Sequence, residues 1–297
     1  MIINEQSLSL LTQAVNASFL MGLARAAPTF ESLAMTVPSM TAENVYPYLR
    51  DLGSIREWVG DRVIQNLAKG DFRITNKDFE ETHGIPRKSV EDDQFGLYNK
   101  LYEQLGQNVS DFPDKTVYAY LRTGFTTLGP DGQYFFDVDH PVGKPGFEAS
   151  VSNFMGGAGE AWFLGDSTKV YKPIIWQPRK AFGLITFFDP KDPRAFWNKE
   201  FIYGVDGRSG VGFSPFWQLL FASKQVLDAT NFKATHTAMS KQFNDAGEPI
   251  DVMPDTIYVS PNNRQAASDL FNKAYLANGE TNTLNGTMKV VVSSRLI

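Results

Sequence analysis

The imidazoles of this chain are His83, His140 and His236, and there is no cysteine. Without cysteine, disulfides, zinc–thiolate sites and cysteine nucleophiles are excluded. His140 closes Asp137-Val138-Asp139-His140, the most metal-like cluster in the sequence. A zinc site needs three or four protein ligands. One imidazole beside two carboxylates, with Pro141 next in line, reads better as a turn held by a local Asp–His hydrogen bond. His83 follows Glu80 and Glu81 at the end of a hairpin and has no third partner. The glycines at 204, 207, 210 and 212 form a run, but no Lys-Ser/Thr follows it as a phosphate loop requires. Gly156-Gly157-Ala158-Gly159 lacks the strand–helix setting of a dinucleotide site. No serine sits in a nucleophile-elbow pattern. Carboxylates abound, yet no pair is set apart as acid and base. The expectation is a protein that is not an enzyme and carries no metal or cofactor.

The chain has 297 residues, and 28 Lys and Arg face 33 Asp and Glu, for a net charge of −5. An acidic chain without a basic cluster is a poor sequence-specific nucleic-acid binder. A surface that merely encloses nucleic acid stays open. The start, Met-Ile-Ile-Asn-Glu-Gln, lacks the basic region of a signal peptide, and no run approaches membrane-spanning length. A soluble protein of a reducing interior is expected, so the sequons at Asn16, Asn108 and Asn285 read as chance matches. An apolar share of 42% is enough for a packed core.

The elements that would position these residues are organised around Ser89–Val109. Ser89 can cap a helix whose first turn holds Glu91, Asp92 and Asp93. Leu97, Leu101, Leu105 and Val109 then recur at a helical period, Pro113 ends the helix, and Asp114–Arg122 predicts a second, shorter one. Leu8, Leu11, Val15, Phe19 and Leu23 predict an amphipathic helix over residues 6–24. Residues 44–80 mix charges with aromatics: Arg50, Arg56, Glu57, Trp58, Asp61 and Arg62, then the alternation Phe72-Arg73-Ile74-Thr75. They predict a long β-hairpin, with strands Val63–Leu67 and Phe72–Phe79 joined by a turn at Ala68–Asp71. An isolated hairpin is marginal in water, so an arm lying on a neighbouring subunit makes sense of this composition. A hairpin packed on its own domain is the alternative.

Further on, strands are predicted at Ala161–Leu164, Ile174–Trp176, Phe182–Phe188 and Glu200–Val205. A turn is predicted at Asp206–Gly210, with a strand resuming at Val211–Phe213. Helices are predicted at Phe216–Ala229, at Asn231–Phe243 and from Asn263 to about Ala277, and strands at Thr256–Ser260 and Met288–Val292.

Several stretches together resemble the major head (capsid) proteins of phage Mu and Mu-like prophages. They are Ile55-Arg56-Glu57-Trp58-Val59-Gly60-Asp61-Arg62, Ile85-Pro86-Arg87 and Val90-Glu91-Asp92-Asp93-Gln94-Phe95-Gly96. Gly124-Phe125-Thr126-Thr127, Asp131–Asp137 and Asp139-His140-Pro141-Val142 continue the series. Ala161-Trp162, Lys172-Pro173-Ile174-Ile175 and Glu200–Arg208 complete it, so the resemblance spans most of the chain.

The resemblance implies an α+β chain with the Hong Kong 97-type phage capsid fold. Residues 1–43 would be the N-terminal arm, 44–88 the extended E-loop hairpin, 89–213 the spine helix and peripheral domain, and 214–297 the axial domain. In that fold the chain usually traverses the axial domain before returning to the peripheral strands. Here Glu200–Phe213 looks like the return, yet it precedes Thr256–Val292. A rearranged order and a different assignment of segments both stay open. The implied function is self-assembly as hexamers and pentamers into an icosahedral head enclosing double-stranded DNA, held without sequence specificity. Assembly would occur in the host bacterial cytoplasm with scaffold and portal proteins, decoration proteins being left open, and without a membrane. No Lys–Asn pair stands out for an autocatalytic crosslink, so a non-covalent shell is expected. Arg56, Glu57, Trp58, Asp61 and Arg62 are the candidate subunit-contact residues. An encapsulin-like compartment shell is the rival of the same fold. A soluble hydrolase or carbohydrate-binding protein, suggested by the aromatic loops and Asp137, Asp139 and His140, is the rival of another class.

Overall fold

Helix α3 (Leu97–Arg122) is the longest helix and joins all the main parts of the structure. The computed structural model describes residues 5–25, 27–47, 71–92, 96–143, 146–189, 197–276 and 278–297. The predicted start at Ser89 is corrected. A single turn, α2 (Arg87–Glu91), precedes α3, and Gly96 stands between them at φ +63°. That left-handed conformation interrupts a right-handed helix and suits glycine. Pro113 does not end α3. It denies the Val109 carbonyl its amide partner, a local loss of about 3 kcal/mol, but both flanks are anchored by burial. Tyr102, Leu105 and Gly106 are buried before it, and Val117, Tyr118 and Leu121 after it. The buried stripe is therefore displaced from the predicted one, and Leu97 and Leu101 stand exposed.

The long strands β9 (Ile174–Phe187) and β10 (Glu200–Phe213) pair antiparallel. With β1 (Ala34–Thr36) and β4 (Lys77–Pro86) they form a sheet in the order β1-β9-β10-β4. The turn predicted at Asp206–Gly210 is absent, because β10 runs straight through it. Its glycines serve close packing instead. A Cβ on Gly207 would lie 2.8 Å from the Phe182 ring, and one on Gly212 2.6 Å from Ile74. The two strands predicted on either side of Pro178 are one, with the register shifting between Arg208 and Ser209, where Ser209 faces Pro178.

A second sheet has the order β13-β12-β8-β11-β7. It consists of β7 (Phe154–Gly157), β8 (Trp162–Gly165), β11 (Leu220–Lys224), β12 (Thr256–Val259) and β13 (Lys289–Val292). The helix predicted at Phe216–Ala229 is instead a 3-10 turn at Trp217–Leu219 followed by β11. A short continuous apolar run carries no period that separates a buried strand from a buried helix. Two helices follow, α4 (Ala229–Ser240) and α5 (Arg264–Phe271). The Asp228 carboxylate caps α4 by accepting the Asn231 N–H at 2.8 Å. Helix α5 stops well short of the predicted Ala277. After β1 and β4 in the first sheet, the chain thus crosses between the sheets three times. It builds β7 and β8, leaves for β9 and β10, and returns for β11 to β13. A boundary between residues 213 and 214 would separate β8 from its hydrogen-bonded neighbours β11 and β12.

One core joins both sheets to α3 through Tyr118, Leu121, Phe163, Trp176, Phe213 and Tyr258. A smaller one packs α1 (Glu5–Leu23) and α3 on β10 through Val15, Phe19, Tyr102, Leu105 and Phe201.

Candidate assembly surfaces

The sequence cluster around His140 is a buried structural site. His140 lies in the short strand β5 (His140–Val142), which pairs with β6 (Ala149–Val151). Its Nδ1 is 2.6 Å from Asp131, not from Asp137 or Asp139, and its Nε2 is 3.2 Å from Asn153 Oδ1. The ring stacks on Trp217 at 4.0 Å between centroids. Asp137 instead accepts the Val138 N–H at 2.8 Å, and its own N–H donates to Asn153. His83 stacks on Tyr203 and pairs with Glu81 at 2.9 Å. Partial burial holds the imidazole of His236 below its ordinary range. Among the described residues no group of three or more His, Asp or Glu is placed to hold a metal ion, and no helix is long and apolar enough to cross a membrane.

Only the base of the predicted hairpin lies within the described residues. Strands β2 (Glu43–Pro47) and β3 (Asp71–Thr75) pair antiparallel and open onto residues 48–70. Arg56, Glu57, Trp58, Asp61 and Arg62 lie outside the described residues, as do Val63–Leu67 and the predicted turn up to residue 70. The predicted strand Phe72–Phe79 divides at Asn76, with β3 turning to β2 and β4 joining β10.

A closed set of polar side chains fastens this root to β9. The Tyr46 hydroxyl donates to Gln177 Oε1 at 2.6 Å. Gln177 Nε2 donates to Asn76 Oδ1 at 2.8 Å and to the Ile74 carbonyl at 3.2 Å. Asn76 Nδ2 donates to Ser39 Oγ and to the Thr41 carbonyl, each at 2.8 Å, and Ser39 Oγ donates to Asn44 Oδ1 at 2.8 Å. Asn44 Nδ2 returns to the Tyr46 hydroxyl at 3.3 Å. Burial raises the Tyr46 phenol above its ordinary range, opposed in part by the bond from Asn44. Tyr46 also stacks on Phe72 at 5.1 Å. Nothing in the sequence announces this network, since its members lie as far apart as residues 46 and 177.

A second fastening holds the N-terminal segment. The Asp114 carboxylate accepts the N–H of Thr29 at 3.0 Å, that of Phe30 at 2.8 Å, and the Thr29 hydroxyl at 2.9 Å. The Tyr118 hydroxyl then donates to Thr29 Oγ1 at 2.8 Å, and Tyr258 to Ser32 Oγ at 3.0 Å. Burial drives both phenols well above their ordinary range. Helix α3, the N-terminal segment and the second sheet meet at this point. Apolar side chains remain uncovered at Leu97 and Leu101 on α3 and at Ile185 and Phe187 on β9, the kind of surface that marks contact with other molecules.

The family model for the Mu-like prophage major head subunit gpT matches residues 8–296. The chain is 37% identical to the Mu-like prophage FluMu major head subunit of Haemophilus influenzae, over 85% of this chain and 84% of that one. It is 32% identical to the major capsid protein of Escherichia phage Mu over the full length of both. Among solved structures, a chain of the procapsid of bacteriophage JBD30 superposes with a TM-score of 0.88 at 36% identity, covering 99% of this chain and 100% of that one. A chain of the bacteriophage JBD30 capsid gives 0.77 at 29% identity, covering both completely.

Proposed function

The chain belongs to the family of Mu-like prophage major head subunits, and from that premise we propose that its arm is what ties one subunit to the next. It is a major capsid protein and not an enzyme. It has the Hong Kong 97-type phage capsid fold and is a component of a multimeric shell in the virion head.

In our reading the subunits assemble as hexamers and pentamers in the host cytoplasm and close an icosahedral head around double-stranded DNA, with scaffold and portal proteins as partners. The DNA contact is non-specific, because a chain of net charge −5 has only scattered Lys and Arg to offer. Binding of duplex by isolated subunits is therefore weak and collapses as salt rises. We assign residues 1–43 to the N-terminal arm and 44–88 to the E-loop. We assign α3 with β9 and β10 to the peripheral domain, whose sheet is completed by β1 from the arm and β4 from the E-loop, and the second sheet with α4 and α5 to the axial domain.

The observation that carries the arm reading is its root. Five polar side chains fix β2 and β3 to β9, the body's longest strand together with β10. The residues beyond that fixed root carry Trp58, Arg56 and Arg62. Trp and Arg are the residue types that dominate protein interfaces. Trp58 inserts on a neighbouring subunit, and the arginines pair with carboxylates there. Trp58→Ala should cost on the order of 2 kcal/mol or more at each copy of the contact. Circular dichroism should then report a folded subunit, and sedimentation no particles. Normal particles, or an unfolded chain, would refute the assignment.

A further inference from the structure

Asparagine followed by glycine occurs twice in the chain, at Asn278-Gly279 and Asn285-Gly286. Such a pair can react with itself. The glycine nitrogen attacks the side-chain amide carbon of the asparagine, and glycine has no Cβ to obstruct the approach. Both pairs are exposed, yet they are held differently. The Gly286 N–H donates at 2.8 Å to the carbonyl of Phe271, a fully buried residue at the end of α5. Freeing that nitrogen means lifting the turn off the core. Asn278 and Gly279 belong instead to a short hairpin. It is closed by the bridge between Tyr275 and Thr281 and by the Leu276 N–H, which donates to the Glu280 carbonyl at 2.8 Å. The Gly279 N–H donates at 3.0 Å to the carbonyl of Leu276, itself exposed. Freeing it opens only the hairpin tip, and such local openings cost far less than unfolding the core.

One residue engages both polar atoms of the Asn278 side chain. Oδ1 accepts the Glu280 N–H at 3.1 Å, and Nδ2 donates to the Glu280 carboxylate at 2.9 Å. The N–H stands where negative charge develops on Oδ1 during attack at Cγ. The carboxylate is within proton-transfer reach of the nitrogen that must leave. We propose that Asn278-Gly279-Glu280 is a self-modifying site, at which Asn278 loses ammonia and becomes aspartate or isoaspartate without an enzyme. The Gly279 nitrogen bonds to Asn278 Cγ and gives up its proton. The Glu280 carboxylate takes that proton and delivers it to Nδ2, the Cγ–Nδ2 bond breaks, and ammonia departs. The cyclic imide that remains adds one water. Opening at one carbonyl gives aspartate, and opening at the other gives isoaspartate. Each event places a further negative charge beside Glu280, on a hairpin that also exposes Tyr275 and Leu276. The chain thereby gains charge with age at one fixed place.

Ageing the full chain near neutral pH and following it by peptide mapping with mass spectrometry tests this. Asn278 should convert several-fold faster than Asn285, with isoaspartate detected at position 278 by enzymatic methylation and ammonia released in step. Glu280→Gln keeps the backbone N–H and removes the carboxylate. It should slow conversion at Asn278 several-fold, leave the rate at Asn285 unchanged as an internal reference, and leave the circular dichroism of the subunit as it was. Glu280→Asp, which retains a carboxylate, should recover part of the lost rate. Conversion at Asn285 that equals or exceeds that at Asn278 would overturn the site. Conversion of Asn278 in Glu280→Gln as fast as in the wild type, or faster, would mean that the two hydrogen bonds only restrain the amide, and would overturn the part given to Glu280.

Discussion

Gly106 and Phe19 meet backbone to backbone. A Cβ on Gly106 would fall inside the van der Waals envelope of the Phe19 carbonyl oxygen, and one on Gly22 would do the same at the carbonyl of Glu103. Helix α1 therefore crosses α3 at a distance that only glycine at both positions permits. Because the obstructing atoms are backbone, no side chain can rotate away. Gly106→Ala should destabilise the α1–α3 contact by about 1–3 kcal/mol, the ordinary cost of overpacking. Far-ultraviolet circular dichroism should change little, whereas trypsin should cut at Arg25 several-fold faster. Unchanged cleavage kinetics in Gly106→Ala and Gly22→Ala would mean that α1 does not depend on this crossing.

The same crossing contains a pH-dependent element. Glu103 is almost fully covered, 2.7 Å from Lys100 Nζ and 2.6 Å from Arg25. The hydrogen bond from Lys100, then the charge of Arg25, hold its carboxyl below the usual range against the penalty of burial. A carboxyl lowered in the folded state adds stability that is fully present above its unfolded value and is lost as pH falls through the folded one. The attachment of α1 should thus weaken below about pH 4. Hydrogen exchange in α1 should accelerate over that range in the wild type and show a smaller pH dependence in Glu103→Gln.

Much of the architecture was legible in the sequence where one period dominated. Val15 and Phe19 predicted the face that α1 buries, and Ile257–Val259 the buried strand β12. What escaped was settled by contacts distant in sequence. Pro113 reads locally as a stop, but burial of Tyr102 and Tyr118 on either side carries the helix through it. Gly207 and Gly210 read locally as a turn, but Phe182 and Ile74 need their missing side chains. His140 was legible as a hydrogen-bonded histidine, whereas its partner Asp131 is reached through a loop, nine positions away. The network at the root of the arm left no local trace.

His140 should prove a structural residue. The Asp131 side chain beside it is 5% exposed. Removing the imidazole leaves a buried carboxylate without its partner, an outcome that typically costs about 3–5 kcal/mol. His140→Ala should lower the thermal midpoint of the subunit by many degrees, and Asp131→Asn by less. Elemental analysis of the purified wild type should find no stoichiometric zinc or iron. One metal per chain, or a His140→Ala subunit as stable as the wild type, would contradict this account.

Tyr46 separates the role of the arm's root from that of its tip. Tyr46→Phe keeps the ring stacked on Phe72 and removes one O–H. Gln177 is fully buried, and its Oε1 then loses the donor that now lies at 2.6 Å. An unsatisfied buried acceptor costs about 1–3 kcal/mol, and the cost falls on the seam between β2–β3 and β9, not on the main core. The amides of Asp71–Thr75 should therefore exchange faster while those of β12 keep their protection. A root that moves also points the residues beyond it less sharply, so particle yield should fall, though by less than in Trp58→Ala. The two variants combined should assemble no better than Trp58→Ala alone, since a loosened root adds nothing once the contact is gone. Fast exchange throughout both sheets would instead show that Tyr46 supports the whole fold, and wild-type yield would show that assembly tolerates a loose root.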